Sequence, residues 1–180
     1  MQNESEVTVV RLGHRPGRDE RMTTHVGLTA RALGANRVVL PDNAGRSRDT
    51  IADITDRFGG PFSVECSGSQ KALIRNWKGR VAHLTMYGER VQDVEDEIRA
   101  TNADTPLLVV VGAEKVSFDV YEAADWNVGV TNQPHSEVAG LAVFLDRVFE
   151  GRELEREWED AEQRVIPKAT GKQVESVGEE

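Results

Sequence analysis

Apolar residues along the chain come in short bursts, and these alternate with segments in which apolar residues recur every three to four positions. The run 107–111, rich in Val and Leu, is typical of a strand buried on both faces. Residues 91–100 instead place Val91, Val94 and Ile98 on one face of a helix. The alternation predicts an α/β fold with a mostly parallel sheet flanked by helices.

The predicted elements follow one another without a long linker. We predict strands over residues 7–12, 37–40, 62–66, 80–86, 107–111 and 127–131. We predict helices over residues 24–33, 47–58, 70–76, 91–100, part of 116–123, 137–149 and 154–164. Thr23 or Thr24 is the expected cap of the first helix, and Gly34 its stop. The pattern indicates one domain over residues 1–150, followed by a C-terminal helical extension and tail over residues 151–180.

Composition argues against several classes of protein. The longest clean apolar burst, 107–111, is far shorter than the roughly 20 apolar residues that a membrane helix requires. The N-terminal residues are polar and acidic, unlike those of a signal peptide. Cys66 is the only cysteine in the sequence, which argues against a disulfide framework and a thiolate metal site. We therefore expect a cytoplasmic protein with no metal and no membrane partner.

The charge of the chain is unevenly distributed. A net charge of −9 argues against general nucleic-acid binding, since nucleic-acid binders usually carry a basic surface. Residues 11–48, however, contain eight Arg and three acidic residues, whereas residues 150–180 contain ten acidic and five basic residues. Arg15, Arg18 and Arg21 follow the first predicted strand and are candidate contacts to RNA phosphates. The alternative is that they form solvated ion pairs.

Ligands of an open α/β sheet bind beyond the carboxyl ends of the strands. Three loops of this chain lie there, at 87–88, 112–116 and 132–136. The sequence contains neither GxGxxG nor GxxxxGK[ST], which disfavours a dinucleotide-binding protein or a kinase. Gly112 would allow the backbone to approach a ligand closely, and Leu84 would supply an apolar wall.

Residues 25–35 resemble the first motif of the ribose-methylating branch of the SPOUT methyltransferases. In that branch a helix starts with Asn and carries an Arg six residues later. His25 stands at the position of the Asn, and Arg31 matches the Arg.

Two later segments resemble the other motifs of the same superfamily. Residues 107–116 resemble its strand and Gly-Asn-Glu loop, with Ala113 replacing the Asn, and residues 130–139 resemble its last motif, a loop that leads into the final helix. Within that superfamily, four segments resemble the archaeal family that methylates the ribose 2′-hydroxyl of cytidine 56 in the tRNA T-loop: 12–16, 23–26, 112–116 and 132–137. The resemblance extends from residue 7 to about residue 150.

This resemblance implies the fold, the cofactor and the partners. The expected fold ends in a trefoil knot, and the expected assembly is a homodimer that acts on tRNA. S-adenosylmethionine is the expected methyl donor. Its expected contacts are Leu84, Gly112, Ala113, Glu114, Lys115, Val116, Val130, Thr131, Asn132, Gln133, Pro134, His135, Ser136 and Glu137.

Arg31 and His25 are the expected catalytic residues. Methyl transfer to a hydroxyl is an in-line displacement, so the hydroxyl must lose its proton. Arginine is a poor base, so we expect Arg31 to hold a phosphate and stabilise the developing alkoxide. His25 lies nearly two turns earlier on the same helix. The alternatives are a solvated helix-face arginine and a histidine that hydrogen-bonds the helix start.

Two further alternatives concern assembly and function. The final predicted helix carries an apolar stripe that is suited either to a dimer interface or to the core of the monomer: Val138, Leu141, Ala142, Leu145 and Phe149. A SPOUT methyltransferase acting on another RNA, such as rRNA, is the alternative enzyme. A non-catalytic RNA-binding module is the alternative from a different class.

Overall fold

Six parallel strands form the central sheet of the computed structural model, which describes residues 5–112 and 115–178. The sheet has the strand order β3-β2-β1-β5-β4-β6, and all of its strand pairs are parallel. The strands are β1 (Val7–Leu12), β2 (Arg37–Pro41), β3 (Ser63–Ser67), β4 (Arg80–Arg90), β5 (Leu107–Gly112) and β6 (Trp126–Gly129). The helices are α1 (Glu20–Ala32), α2 (Gly45–Phe58), α3 (Gln70–Arg75), α4 (Val91–Asn102), α5 (Phe118–Ala123) and α6 (Glu137–Phe149).

Helices cover both faces of this sheet, which confirms the predicted α/β fold. Side chains on one face of the strands, such as Val9 and Val109, pack with α1, α2, α4 and α6. Side chains on the other face, such as Val10 and Val110, pack with α3 and α5. Because β1 and β5 are buried on both faces, they contain almost uninterrupted apolar residues.

The first helix begins four residues earlier than predicted, so neither Thr23 nor Thr24 caps it. Asp19 is the cap residue. Thr23 is instead buried within the helix, where its hydroxyl accepts a hydrogen bond from Arg11. The predicted stop is confirmed: α1 ends at Ala32, and Gly34 adopts a φ of +97°, which glycine tolerates without strain.

The helix predicted over residues 154–164 is wrong. A short 3₁₀ helix (Arg152–Glu155) is followed by an extended segment and by an antiparallel hairpin of β7 (Gln163–Ile166) and β8 (Gln173–Ser176). The polar sequence offers no apolar face for a helix to bury, so contacts with the body of the protein determine the local structure. Arg156 donates a hydrogen bond to the Pro61 carbonyl at 2.7 Å.

The division into residues 1–150 and 151–180 stays a prediction. Among the described residues, no helix is long and apolar enough to cross a membrane.

Candidate active site

A cavity of about 260 Å³ opens where β5 and β6 end, beside the middle of β4. We call it the donor cavity. Backbone and apolar groups supply most of its wall, and one carboxylate and one imidazole supply its ionisable groups. The residues that line it are Leu84, Thr85, Met86, Val111, Gly112, Val128, Val130, Pro134, His135, Glu137 and Gly140.

Six of the fourteen expected donor contacts line this cavity: Leu84, Gly112, Val130, Pro134, His135 and Glu137. Thr85, Met86, Val111, Val128 and Gly140 also line it, and sequence reasoning missed them. Val111 directly precedes the loop 112–116, which was expected to bind the ligand, and Val128 lies near the end of β6, so the position of the strand ends was the signal that could have revealed them.

The other expected contacts lie elsewhere or support the loop. Lys115 and Val116 line a second cavity of about 630 Å³, which we call the basic cavity. Ala113 and Glu114 lie outside the described residues. Thr131, Asn132, Gln133 and Ser136 are exposed and do not line the donor cavity.

Three hydrogen bonds fix the loop between β6 and α6. The Asn132 amide donates to the carbonyls of Met86 at 2.7 Å and Gly88 at 3.0 Å, which ties the loop to β4. The Ser136 hydroxyl accepts a hydrogen bond from the Val138 N–H at 3.2 Å and caps α6. These residues therefore hold the wall of the donor cavity in place.

His135 is held in one tautomer. Its Nδ1 lies 2.7 Å from the Gln133 carbonyl, and because a carbonyl can only accept, Nδ1 carries the hydrogen. The other ring nitrogen, Nε2, faces Gly140 of α6. A Cβ at Gly140 would lie only 2.9 Å from that nitrogen, so a glycine at this position allows the ring to lie against α6.

A buried ion pair joins β1 to the first turn of α6. The Arg11 guanidinium, which is 1% exposed, donates from Nε at 3.1 Å and Nη2 at 2.6 Å to Glu137 Oε1. Nη1 donates to the Gly13 carbonyl and to Thr23 Oγ1, both at 2.7 Å. Thr23 Oγ1 lies 2.6 Å from His14 Nδ1, so the network reaches from the donor cavity to the basic cavity.

The pKa of Glu137 reflects two opposing effects. Burial raises the pKa of this carboxyl, while the hydrogen bonds and the charge of Arg11 act in the opposite direction. Burial is the larger effect, so the pKa is above its ordinary value. Glu137 Oε2 is buried and has no hydrogen-bond partner among the described residues.

The expected catalytic residues do not line the donor cavity of their own chain. Arg31 is 7% exposed, donates from Nη2 to the Gly59 carbonyl at 2.6 Å, and places its guanidinium carbon 4.3 Å from the centre of the Trp158 ring. Burial, followed by the charge of Arg156, lowers its pKa. Arg31 lines a cavity of about 670 Å³ between the body and the C-terminal segment. His25 is exposed on α1.

The expected RNA-binding arginines lie at the rim of the sheet near the start of α1. The Arg15 guanidinium donates to both oxygens of the Asp19 carboxylate at 3.0 Å, and the Arg15 backbone N–H donates to Oδ2 at 2.9 Å. These hydrogen bonds, the guanidinium's first, hold the pKa of Asp19 down at about 2. Arg15 lines the basic cavity, which also receives Lys71 and Lys115. Arg18 and Arg21 are exposed.

The described residues contain no cluster of three His, Cys, Asp or Glu that could hold a metal ion.

Solved structures identify the fold. The chain is similar to the SpoU methyltransferase AviRb from Streptomyces viridochromogenes in complex with AdoMet, with a TM-score of 0.57 and 14% identity over 84% of this chain and 59% of that one. It is also similar to the TrmH/SpoU tRNA-modifying enzyme of A. aeolicus, with a TM-score of 0.53 and 18% identity over 86% and 78% of the two chains. The chain thus has the fold of the SPOUT methyltransferases. The knot itself stays a prediction.

Sequence relatives show the family. Residues 58–175 match the family described as tRNA ribose 2′-O-methyltransferase, aTrm56. The chain is 70% identical to a tRNA (cytidine(56)-2′-O)-methyltransferase of Natronomonas pharaonis, over 100% of both chains. It is 50% identical to the enzyme of the same name from Methanopyrus kandleri, over 97% of this chain and 99% of that one. The chain belongs to the aTrm56 family of tRNA ribose 2′-O-methyltransferases.

We predict that Gly112→Val abolishes binding of S-adenosylmethionine, because the added side chain fills part of a cavity of only about 260 Å³. Isothermal titration calorimetry measures the affinity directly. Gly45→Val is the matched control, since a Cβ there would meet only Arg48 Nη2, at 3.7 Å. Unchanged affinity in Gly112→Val would place the donor elsewhere.

Proposed function

We propose that this chain transfers a methyl group from S-adenosylmethionine to the ribose 2′-hydroxyl of cytidine 56 in tRNA, in the cytoplasm. The observation that carries the proposal is a cavity at the carboxyl ends of β5 and β6, beside the middle of β4, in a chain that belongs to the aTrm56 family. Relatives that match over the whole chain are named for this reaction, and AviRb, which shares the fold, was solved with AdoMet.

The residues of the donor cavity suit this donor. S-adenosylmethionine supplies a methyl group activated by a positively charged sulfonium. Leu84, Val128 and Val130 offer apolar surface for an adenine. Glu137 lies in the same cavity, and Arg11 holds its carboxylate in place. The Asn132 and Ser136 hydrogen bonds keep the loop in position around the ligand.

The basic cavity is the proposed entry of the tRNA. Arg15 and Lys115 line it, and the exposed Arg18 and Arg21 lie on the segment that leads into α1. Lys and Arg side chains bind phosphates through charge and hydrogen bonds, and they do so without regard to sequence. The acidic remainder of the chain would repel tRNA, which restricts binding to this side of the molecule.

We place the dimer interface on α1 and α6. A groove of about 430 Å³ lies between these helices, and Leu28, Leu33, Val138 and Ala142 give it an apolar wall. Leu141, Leu145 and Phe149 are buried in the monomer, so only part of the predicted stripe is available for an interface. Because Arg31 does not line the donor cavity of its own chain, its proposed contact with the substrate is made in the cavity of the partner chain.

The position of the methylated nucleotide tests the proposed function. The purified protein, unmodified tRNA transcript and labelled S-adenosylmethionine are incubated, and the methylated nucleotide is mapped by mass spectrometry. We expect one methyl group, on the ribose of cytidine 56, and none on a transcript that carries 2′-deoxycytidine at that position. Methylation of another nucleotide, or of rRNA but not tRNA, would refute the proposed substrate.

Complementation between two inactive variants tests whether the two chains of a dimer share each active site. We predict that Arg31→Met and Gly112→Val are each inactive, yet that a mixture allowed to exchange chains regains about a quarter of the wild-type rate. Half of the dimers in an equal mixture combine the two variants, and one of the two sites in each of these is intact. Arg57→Ala, which removes a partly exposed helix arginine, is the control and should remain active. A mixture that stays inactive would show that Arg31 does not act across a dimer.

A further inference from the structure

One oxygen of the buried carboxylate in the donor cavity is not used by the fold. Both N–H groups that Arg11 directs at Glu137 hydrogen-bond to Oε1. Oε2 has no hydrogen-bond partner in the described part of the chain. A buried polar atom without a partner costs free energy, so it is retained where it serves a ligand or a reaction. Glu137 lines the same cavity as Gly112, where the donor is proposed to bind.

We propose that Glu137 accepts the proton of the ribose 2′-hydroxyl during methyl transfer, and that Arg11 is the positioning residue that holds it. The inference rests on the proposed function. The hydroxyl proton moves to Oε2, and an electron pair of the ribose oxygen forms the new bond to the methyl carbon. The bond from that carbon to sulfur breaks, and its electron pair stays on sulfur. The products are the 2′-O-methyl ribose, neutral S-adenosylhomocysteine and a protonated Glu137.

The surroundings of Glu137 suit a base. Burial raises the pKa of the carboxyl, which strengthens it as a proton acceptor, and Arg11 favours its ionised form. The charged or titratable groups that face it are Arg11 from β1, Asp19 at the start of α1 and His135 in the loop before α6. His14 is connected to it only through Thr23 and Arg11.

His135 is the competing proton acceptor in the same cavity. Its Nδ1 hydrogen is donated to the Gln133 carbonyl, so Nε2 is the only ring nitrogen that could accept a proton. His135 is exposed on a loop, however, and Nε2 lies against Gly140 of α6. Glu137 is largely buried and is fixed by two hydrogen bonds from a fully buried guanidinium. General bases act best when they are held in a fixed position, which favours Glu137.

The test measures single-turnover methyl transfer to tRNA transcript at saturating donor, across pH, for the wild type and four variants. The wild-type rate should rise with pH as Glu137 loses its proton and then level off. Glu137→Gln keeps the shape and the acceptor for Arg11 but removes the base. Its rate should fall by about 100-fold or more, and the rising limb of the pH–rate profile should disappear, while the affinity for S-adenosylmethionine changes only a few-fold. Glu137→Asp should restore part of the rate and the limb.

The remaining variants separate a base from a structural group. Arg11→Met removes the neighbouring cation, so the rising limb should move to higher pH and the rate should recover there, whereas a structural defect would lower the rate equally at every pH. His135→Asn should keep the rising limb. The proposal is overturned if the limb disappears in His135→Asn and persists in Glu137→Gln, or if Glu137→Gln loses only donor affinity. A wild-type protein that methylates no tRNA would instead refute the proposed function.

Discussion

A fully buried guanidinium and a largely buried carboxylate meet where the first strand of the sheet faces the start of the last α-helix. Moving either charge alone into the interior costs several kcal/mol, and only a close and well-oriented partner offsets that cost. Arg11 and Glu137 must therefore stay in contact, which fixes the start of α6 against β1. The loop from Val130 to Ser136 lies between β6 and that fixed point, so the wall of the donor cavity depends on the same ion pair.

Helix α6 combines packing with chemistry because its two ends have different neighbours. Leu141, Phe144, Leu145 and Val148 are buried in the core beneath the sheet and anchor the helix. The first turn carries Ser136 as the cap and Glu137 as the buried acid. A rigid helix thus presents a carboxylate at the ends of the strands, and the backbone around it needs little reorganisation when a ligand binds.

Much of this arrangement could be predicted from the sequence, since local patterns determine it. The strand 7–12 and the helix 137–149 lie where the sequence pattern predicted them. The strand is buried on both faces, and the helix has one strongly apolar face. The pairing of Arg11 with Glu137 could not be predicted, since 126 positions separate the two residues and neither has a local signal. The extended segment before the C-terminal hairpin was missed because contacts of Glu159 with Gly60 and of Arg156 with Pro61, not local propensity, determine its structure.

The central claim is that the methyl donor binds where β5 and β6 end, beside the middle of β4 and beside Glu137. The most direct test is an experimental structure of the protein with S-adenosylhomocysteine bound. The claim predicts that the ligand contacts Leu84, Gly112 and Val130 and that its sulfur lies on the side of the cavity formed by Glu137. A ligand bound instead in the cavity lined by Arg31 and Trp158, or in the basic cavity beside His14, would contradict it.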